Sequence, residues 1–263
     1  MKQAPVFFVS HGAPTFALET GFSAKRLSEI GASFAKDNIK AVLVVSPHWQ
    51  TQHIEVMTSL APETIHDFYG FPTNLYSLQY RAKGHAELAG EAARLLAEGG
   101  LKVSLNHQRG LDHGAWVALL HLWPNADMLV FQVSMPATLS PAQAYKMGQL
   151  LAPMRKQGVL ILGSGGITHN LNDFRQQPVE LPYVSKFSQW IKQAIIENNI
   201  SQLLAYRDFA PNASQAHPTD EHLLPLFIAL GARSNDEHLE VIDGGVAYGI
   251  LSMDAYLWQA KLA

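Results

Sequence analysis

The chain contains no cysteine. This excludes disulfides, thiolate nucleophiles and thiolate ligands for zinc or iron–sulfur clusters, so any metal must be held by imidazole and carboxylate. Charge is also sparse: Asp, Glu, Lys and Arg make up 16% of the 263 residues, with a formal net charge of −3. No basic cluster is longer than Lys25-Arg26, which removes the electrostatic footprint of a nucleic-acid partner. No apolar run reaches the length of a membrane helix, and the N-terminus lacks the pattern of an export signal. A G-x-x-x-x-G-K-[ST] phosphate loop is missing as well. The expectation is a cytoplasmic protein with no nucleic-acid and no membrane partner. Its subunit number, monomer or small homo-oligomer, is left open. No Gly/Ser-rich linker, charge block or internal repeat divides the sequence, so residues 1–263 are expected to form a single domain.

What the chain has in excess is histidine, with 12 residues. Short β-rich apolar runs alternate with stretches of helical spacing. Strands are expected at Pro5–Ser10, Ala41–Ser46, Ile54–Thr58, Lys102–Leu105, Met128–Val133, Val159–Gly163, Leu239–Ile242 and Gly249–Met253, the last two closing the sheet. Helices are expected at Ala24–Lys36, Glu87–Glu98, Ala115–Leu122, Pro141–Lys156, Val184–Asn198 and Glu221–Leu230. Continuous apolar strands alternating with helices predict an α/β fold, a single three-layer domain with a mostly parallel central sheet and helices on both faces. Ligands of such sheets bind beyond the carboxyl ends of the strands.

Several histidines fall at those ends. His11 (Ser10-His11-Gly12) and His48 (Ser46-Pro47-His48-Trp49) each follow an apolar run, where an imidazole can bind a metal or simply hydrogen-bond within a loop. Gly12 removes a side chain beside the first of them. His169 ends Gly163-Ser164-Gly165-Gly166-Ile167-Thr168-His169, whose glycines are expected to let substrate or metal approach the main chain. It is a candidate fourth ligand or proton-transfer group. His222 follows Thr219-Asp220-Glu221, with Thr219 read as an N-cap, and either His222 or Glu221 can be the third ligand. Two histidines and a carboxylate suit non-haem iron; three histidines suit zinc equally. His113, beside Asp112, is a candidate acid or base. His66, Tyr69 and Phe71 lie in an aromatic stretch suited to stacking on a planar ring.

The ordered motifs SHGAPTF, VVSPHW, TIHDFYGFP, GLDHGAWV, GSGGITHNL, HPTDEHLLPLFIALGA and GGVAYGILSM span nearly the whole chain. Together they resemble the class III extradiol ring-cleavage dioxygenases, in the 4,5-DOPA extradiol dioxygenase branch. The resemblance implies one divalent metal, Fe(II) for activity with Zn(II) possible in the same site, and O2 as co-substrate. It implies a small-molecule catechol as the substrate, opened to a muconic semialdehyde. His11 and His48 match the first two metal histidines, His222 or Glu221 supplies the third ligand, and His169 matches the histidine that serves as ligand or base. His113 is then expected to steady oxygen or protonate an intermediate. A zinc-dependent hydrolase and a non-catalytic metal-binding relative are the alternatives. A DOPA-like preference needs a partner for the substrate carboxylate, for which Arg81 and Lys83 are candidates.

Overall fold

Short runs of apolar residues, many of them β-branched or aromatic, build the centre of the molecule. The structure is a computed structural model and describes residues 3–34, 39–174 and 179–261. Its principal strands are β1 (Val6–Ser10), β2 (Ala41–Val45), β3 (Ile54–Met57), β4 (Val103–Asn106), β5 (Leu129–Gln132), β6 (Val159–Gly165), β7 (His238–Ile242) and β8 (Ala255–Gln259). The principal helices are α1 (Phe22–Ser33), α2 (Ala86–Glu98), α3 (His113–Leu122), α4 (Pro141–Leu151), α5 (Pro182–Ile196) and α6 (Leu224–Ala232).

Six strands form the main sheet in the order β5–β2–β6–β1–β8–β7. The first four run parallel, and β8 is antiparallel to both of its neighbours. Every residue of β1, β2 and β6 is buried, which a strand covered on both faces requires. Successive residues of β6 show the two covering layers. Gly163 and Gly165 face α6, where an added Cβ would run into the carbonyl oxygens of Pro225 and His222. Ser164 faces the other way and its hydroxyl donates to the Gly114 carbonyl of α3. α4 packs on α6 in one layer and α1 packs on α3 in the other. The expected mostly parallel α/β sheet with helices on both faces is therefore present.

Both central helices are apolar around their circumference, as buried helices must be. Asp112 caps α3: its buried carboxylate accepts the Ala115 N–H at 3.2 Å and is held by Arg109 and Gln132, each at 3.0 Å. The Glu221–Leu230 helix starts three residues late, at Leu224, with Pro225 in its first turn. Thr219 does not cap it; that hydroxyl donates to Glu221 Oε1 at 3.0 Å.

Other boundaries also differ from the sequence expectations. Ile54–Met57 and Val103–Asn106 pair with each other in a separate parallel ribbon instead of joining the main sheet. Within Gly249–Met253 only Leu251–Ser252 is extended, paired with Val246–Ala247. The place beside β1 belongs to β8, whose Ala-Tyr-Leu-Trp run has the buried apolar character of a central strand. α4 ends at Leu151 and passes into a 3-10 turn over Ala152–Gln157. The expected end of the first helix, Lys36, lies outside the described residues.

At the edge away from the site, Arg155 is buried, with 1% of its surface exposed. Its Nε donates to the Ala4 carbonyl at 2.7 Å, Nη1 to the Ala232 carbonyl at 2.9 Å, and Nη2 pairs with Glu237. One guanidinium thus ties the approach to β1, the end of α6 and the turn before β7. Removing one partner of a buried pair leaves the other charge uncompensated. Arg155→Ala is expected to lower unfolding stability by about 3–5 kcal/mol. Urea denaturation measures this, and a loss below about 1 kcal/mol would show that the clamp is idle.

Candidate active site

The order β2–β6–β1 sets the ends of three adjacent parallel strands side by side, and the chain leaving each carries a histidine: His48, His169 and His11. Two more imidazoles arrive from the helical layers, His113 at the first position of α3 and His222 in the turn before α6. His11, His48 and His222 each offer a nitrogen, and these atoms all lie within 4.8 Å of one another. His48 Nε2 is 3.2 Å from His11 Nε2. The ring centroids of His48 and His113 are 3.9 Å apart, and His169 lies flat on His222 at 3.4 Å with 7° between the planes.

Hydrogen bonding sets the tautomers. Ser164 commits its proton to the Gly114 carbonyl, so at 3.1 Å its oxygen accepts from His11 Nδ1–H. A carboxylate only accepts, so Glu221 Oε1, 3.2 Å from His222 Nδ1, holds that proton too. His48 Nδ1 lies 3.5 Å from Asp67 Oδ2. His11 and His222 thereby keep their Nε2 lone pairs, the Asp67 charge favours the same form of His48, and the buried Nε2 of His222 has no partner among the described residues. Two lone pairs 3.2 Å apart beside a third, orphaned one are a donor set that a divalent cation fits.

The electrostatics keep these rings neutral. Burial pushes His11 and His222 well below the usual histidine range, and neighbouring imidazoles add to the effect. Burial likewise lowers His48 to about 4, with His113 reinforcing it and Asp112 and Asp67 opposing. Burial takes His169 to about 4 against the pull of Glu221. For Asp67 burial works upward, but hydrogen bonding and Coulombic attraction from His113 outweigh it and hold the carboxyl at about 2.

The centre opens into a cavity of about 520 Å³, walled by Phe68, Tyr69, Phe71, Leu171, Phe174 and Leu251. All five clustered histidines line it. Tyr69 and Phe71 therefore lie where the sequence puts them, at the cavity, Tyr69 with 91% of its surface exposed. His66 does not. Asp67 faces the histidines, whereas His66 is not among the residues that line the cavity. Its Nε2 bonds the Leu78 carbonyl at 3.0 Å and its ring packs on Trp116. The glycine-rich segment also has a different purpose from the one expected. Gly163 and Gly165 admit the backbone of α6 and its preceding turn, and the Gly166 N–H donates to the His222 carbonyl at 2.8 Å. Arg81 and Lys83 line a separate cavity. Sequence reasoning missed Asp67 and Ser164; the only local hint for Asp67 was its place in the aromatic stretch.

Neutral imidazoles and carboxylates gathered beside an apolar cavity, at the carboxyl edge of an α/β sheet, define a non-haem metalloenzyme for a small, largely apolar molecule. Residues 5–255 match the family described as the catalytic LigB subunit of aromatic ring-opening dioxygenase. The chain belongs to that family and is an extradiol ring-cleavage dioxygenase, with a divalent metal, O2 and a small aromatic substrate implied. It is 39% identical over 256 residues to 4,5-DOPA dioxygenase extradiol of Beta vulgaris, covering 95% of this chain and 94% of that protein. The protein of the same name from Escherichia coli K12 is 33% identical over 255 residues, covering 95% and 92%. The crystal structure of an uncharacterised protein from Escherichia coli K12 superimposes with a TM-score of 0.81 at 27% identity, covering 97% and 99%.

Gly114 makes room for the centre. A Cβ there would sit 2.9 Å from His48 Cδ2 and 3.2 Å from His11 Cε1, and would also meet Ser46 Oγ. Gly114→Ala is expected to weaken zinc binding at least about tenfold, read by competition against a chelating dye. Affinity within about twofold of the parent would remove the steric argument. Acid should also act on the metal-free protein. His48, His169 and His217 have folded-state pKa values of about 4, below the ordinary 6.5, with burial the largest cause in each. Their contribution to stability is complete above pH 6.5 and is lost as pH falls through about 4. The melting temperature should therefore hold steady from about pH 8 to 7 and drop progressively below about 6.5. A flat profile down to about pH 4 would contradict this.

Proposed function

We propose that this enzyme opens the ring of a catechol, with DOPA-like catechols as the leading candidates, to a muconic semialdehyde, using Fe(II) held by His11, His48 and His222. The observation that carries this reading is the convergence of three neutral imidazoles, each with its Nδ1 turned to an oxygen, at the floor of an aromatic-walled cavity. The names of the relatives from Beta vulgaris and Escherichia coli support the DOPA-like substrate. Fe(II) supplies Lewis acidity toward the diol and a route for electrons to O2. Zn(II) suits the same donors but supplies no redox step.

The protein's part is positioning and proton handling. Phe68, Phe71, Leu171 and Phe174 clamp the ring and exclude water, with Tyr69 at the exposed mouth. His169, neutral and stacked on His222, takes the proton of a diol hydroxyl as general base. His113, on the other flank, steadies the oxygen species or returns a proton. Glu221, its Oε1 engaged by Thr219 and His222, serves as the acceptor that orients His222, leaving that histidine as the third ligand. Cleavage falls on the carbon–carbon bond beside the diol.

The test is anaerobic loading with Fe(II), then addition of a catechol panel including DOPA, and O2. Stoichiometric oxygen uptake with a yellow ring-opened product is expected, and zinc-loaded protein should give none. His169→Ala should reduce kcat by about 100-fold to 10,000-fold. No oxygen uptake with any catechol in the iron-loaded enzyme would defeat the proposal.

A further inference from the structure

Asp67 touches two members of the centre from a loop that also builds the cavity wall. Its Oδ1 accepts the backbone N–H of His113 at 2.9 Å and lies 3.1 Å from His113 Nδ1. The second contact is within ion-pair distance but outside hydrogen-bond geometry, so Asp67 acts on the His113 ring through its charge, while the same oxygen accepts the helix N-terminal amide. Its Oδ2 faces His48 Nδ1 at 3.5 Å. The next residue, Phe68, stands edge-on to the His113 ring, with centroids 5.7 Å apart. Asp112, adjacent to His113 in sequence, is committed to Ala115, Arg109 and Gln132. Asp67 is thus the carboxylate that His113 meets.

We propose that Asp67 is a positioning residue that acts through His113, fixing it in the Nδ1–H tautomer and anchoring the aromatic wall to the metal histidines. An ionised carboxylate has no proton to give, so it selects the ring form that donates from Nδ1. The opposite nitrogen, Nε2, then carries the lone pair on a ring that lines the cavity. The backbone contact fixes where α3 begins relative to the loop, so ring orientation and wall position are set by one group. Glu221 and Ser164 orient single rings; Asp67 is shared between a metal histidine and a proton-handling one. The inference rests on the reading that His113 serves the chemistry.

The experiment uses the full chain loaded with zinc, which is diamagnetic, and reads the ring nitrogens of His113 by 15N NMR, assigned through the signal lost in His113→Gln. The parent should show the Nδ1–H form, and Asp67→Ala should shift His113 toward the other tautomer or a mixture. In the iron-loaded enzyme Asp67→Ala should lower kcat about 100-fold while zinc affinity changes less than about tenfold. Added to His113→Gln, the same substitution should cost less than about twofold more, because its effect passes through the missing ring. An Nε2–H tautomer in the parent, or a full additive loss in the double variant, would overturn the proposal. The parent spectrum decides even if Asp67→Ala fails to fold. If the tautomer is as expected but the iron-loaded parent consumes no oxygen, the proposed reaction fails and the role of Asp67 in setting the ring stands.

Discussion

His11, His48 and His222 each turn Nδ1 toward an oxygen, of Ser164, Asp67 and Glu221 respectively; the Nε2 atoms of His11 and His48 face each other at 3.2 Å, and that of His222 has no partner among the described residues. Burying a polar atom without a partner costs about 1–3 kcal/mol. Protonation would relieve that cost in water, but burial and the crowding of like rings oppose a charge here. A divalent cation resolves the conflict, since it takes several lone pairs at once and brings its own charge. Affinity for metal and instability of the empty centre are in this sense one property, and bound metal stabilises the fold by mass action.

The rest of the architecture serves to bring these rings together without filling the space between them. β1 and β2 flank β6, so the two histidines that leave them must reach over the middle strand from about 10 Å apart. Small residues keep that region open: Ser164 and Gly114 on the α3 side, and Gly163 and Gly165 on the α6 side. Ser164 uses its one hydroxyl twice, donating to α3 and accepting from His11. Gly165 lets the backbone at His222 close onto the sheet. The apolar bulk of α3 and α6 then seals both faces.

Much of this was legible in the amino-acid order, because apolar strands that stop at His-Gly or Pro-His announce both the sheet and its functional edge. His11 and His48 were readable in that way, His169 from the glycine run before it, His222 from the polar Thr219-Asp220-Glu221 stretch and His113 from its neighbour Asp112. Asp67 and Ser164 were not, since each meets its histidine across a long sequence separation that only the fold closes, 153 residues for Ser164 and His11. His66 misled because an aromatic neighbourhood does not say which neighbours a ring packs on, here Trp116 and the Leu78 carbonyl. The glycines at the end of β6 invited a ligand, where Gly163 and Gly165 admit the backbone of α6 and of the turn before it. β8 escaped notice because the run of equal length before it, Gly249–Met253, has a similar apolar character.

The position of β1 has a consequence for biosynthesis. Its neighbours are β6 and β8, so Val-Phe-Phe-Val-Ser leaves the ribosome long before either partner exists. At about 5–20 residues per second, roughly 12–50 s separate β1 from the arrival of residue 259. Until β6 emerges, roughly 8–31 s after β1, a strand destined for the deepest layer of the protein is without either sheet partner, a ready template for wrong association. Folding of this protein is therefore expected to depend on shielding β1, whether by a chaperone or by transient local collapse, until β6 has been made.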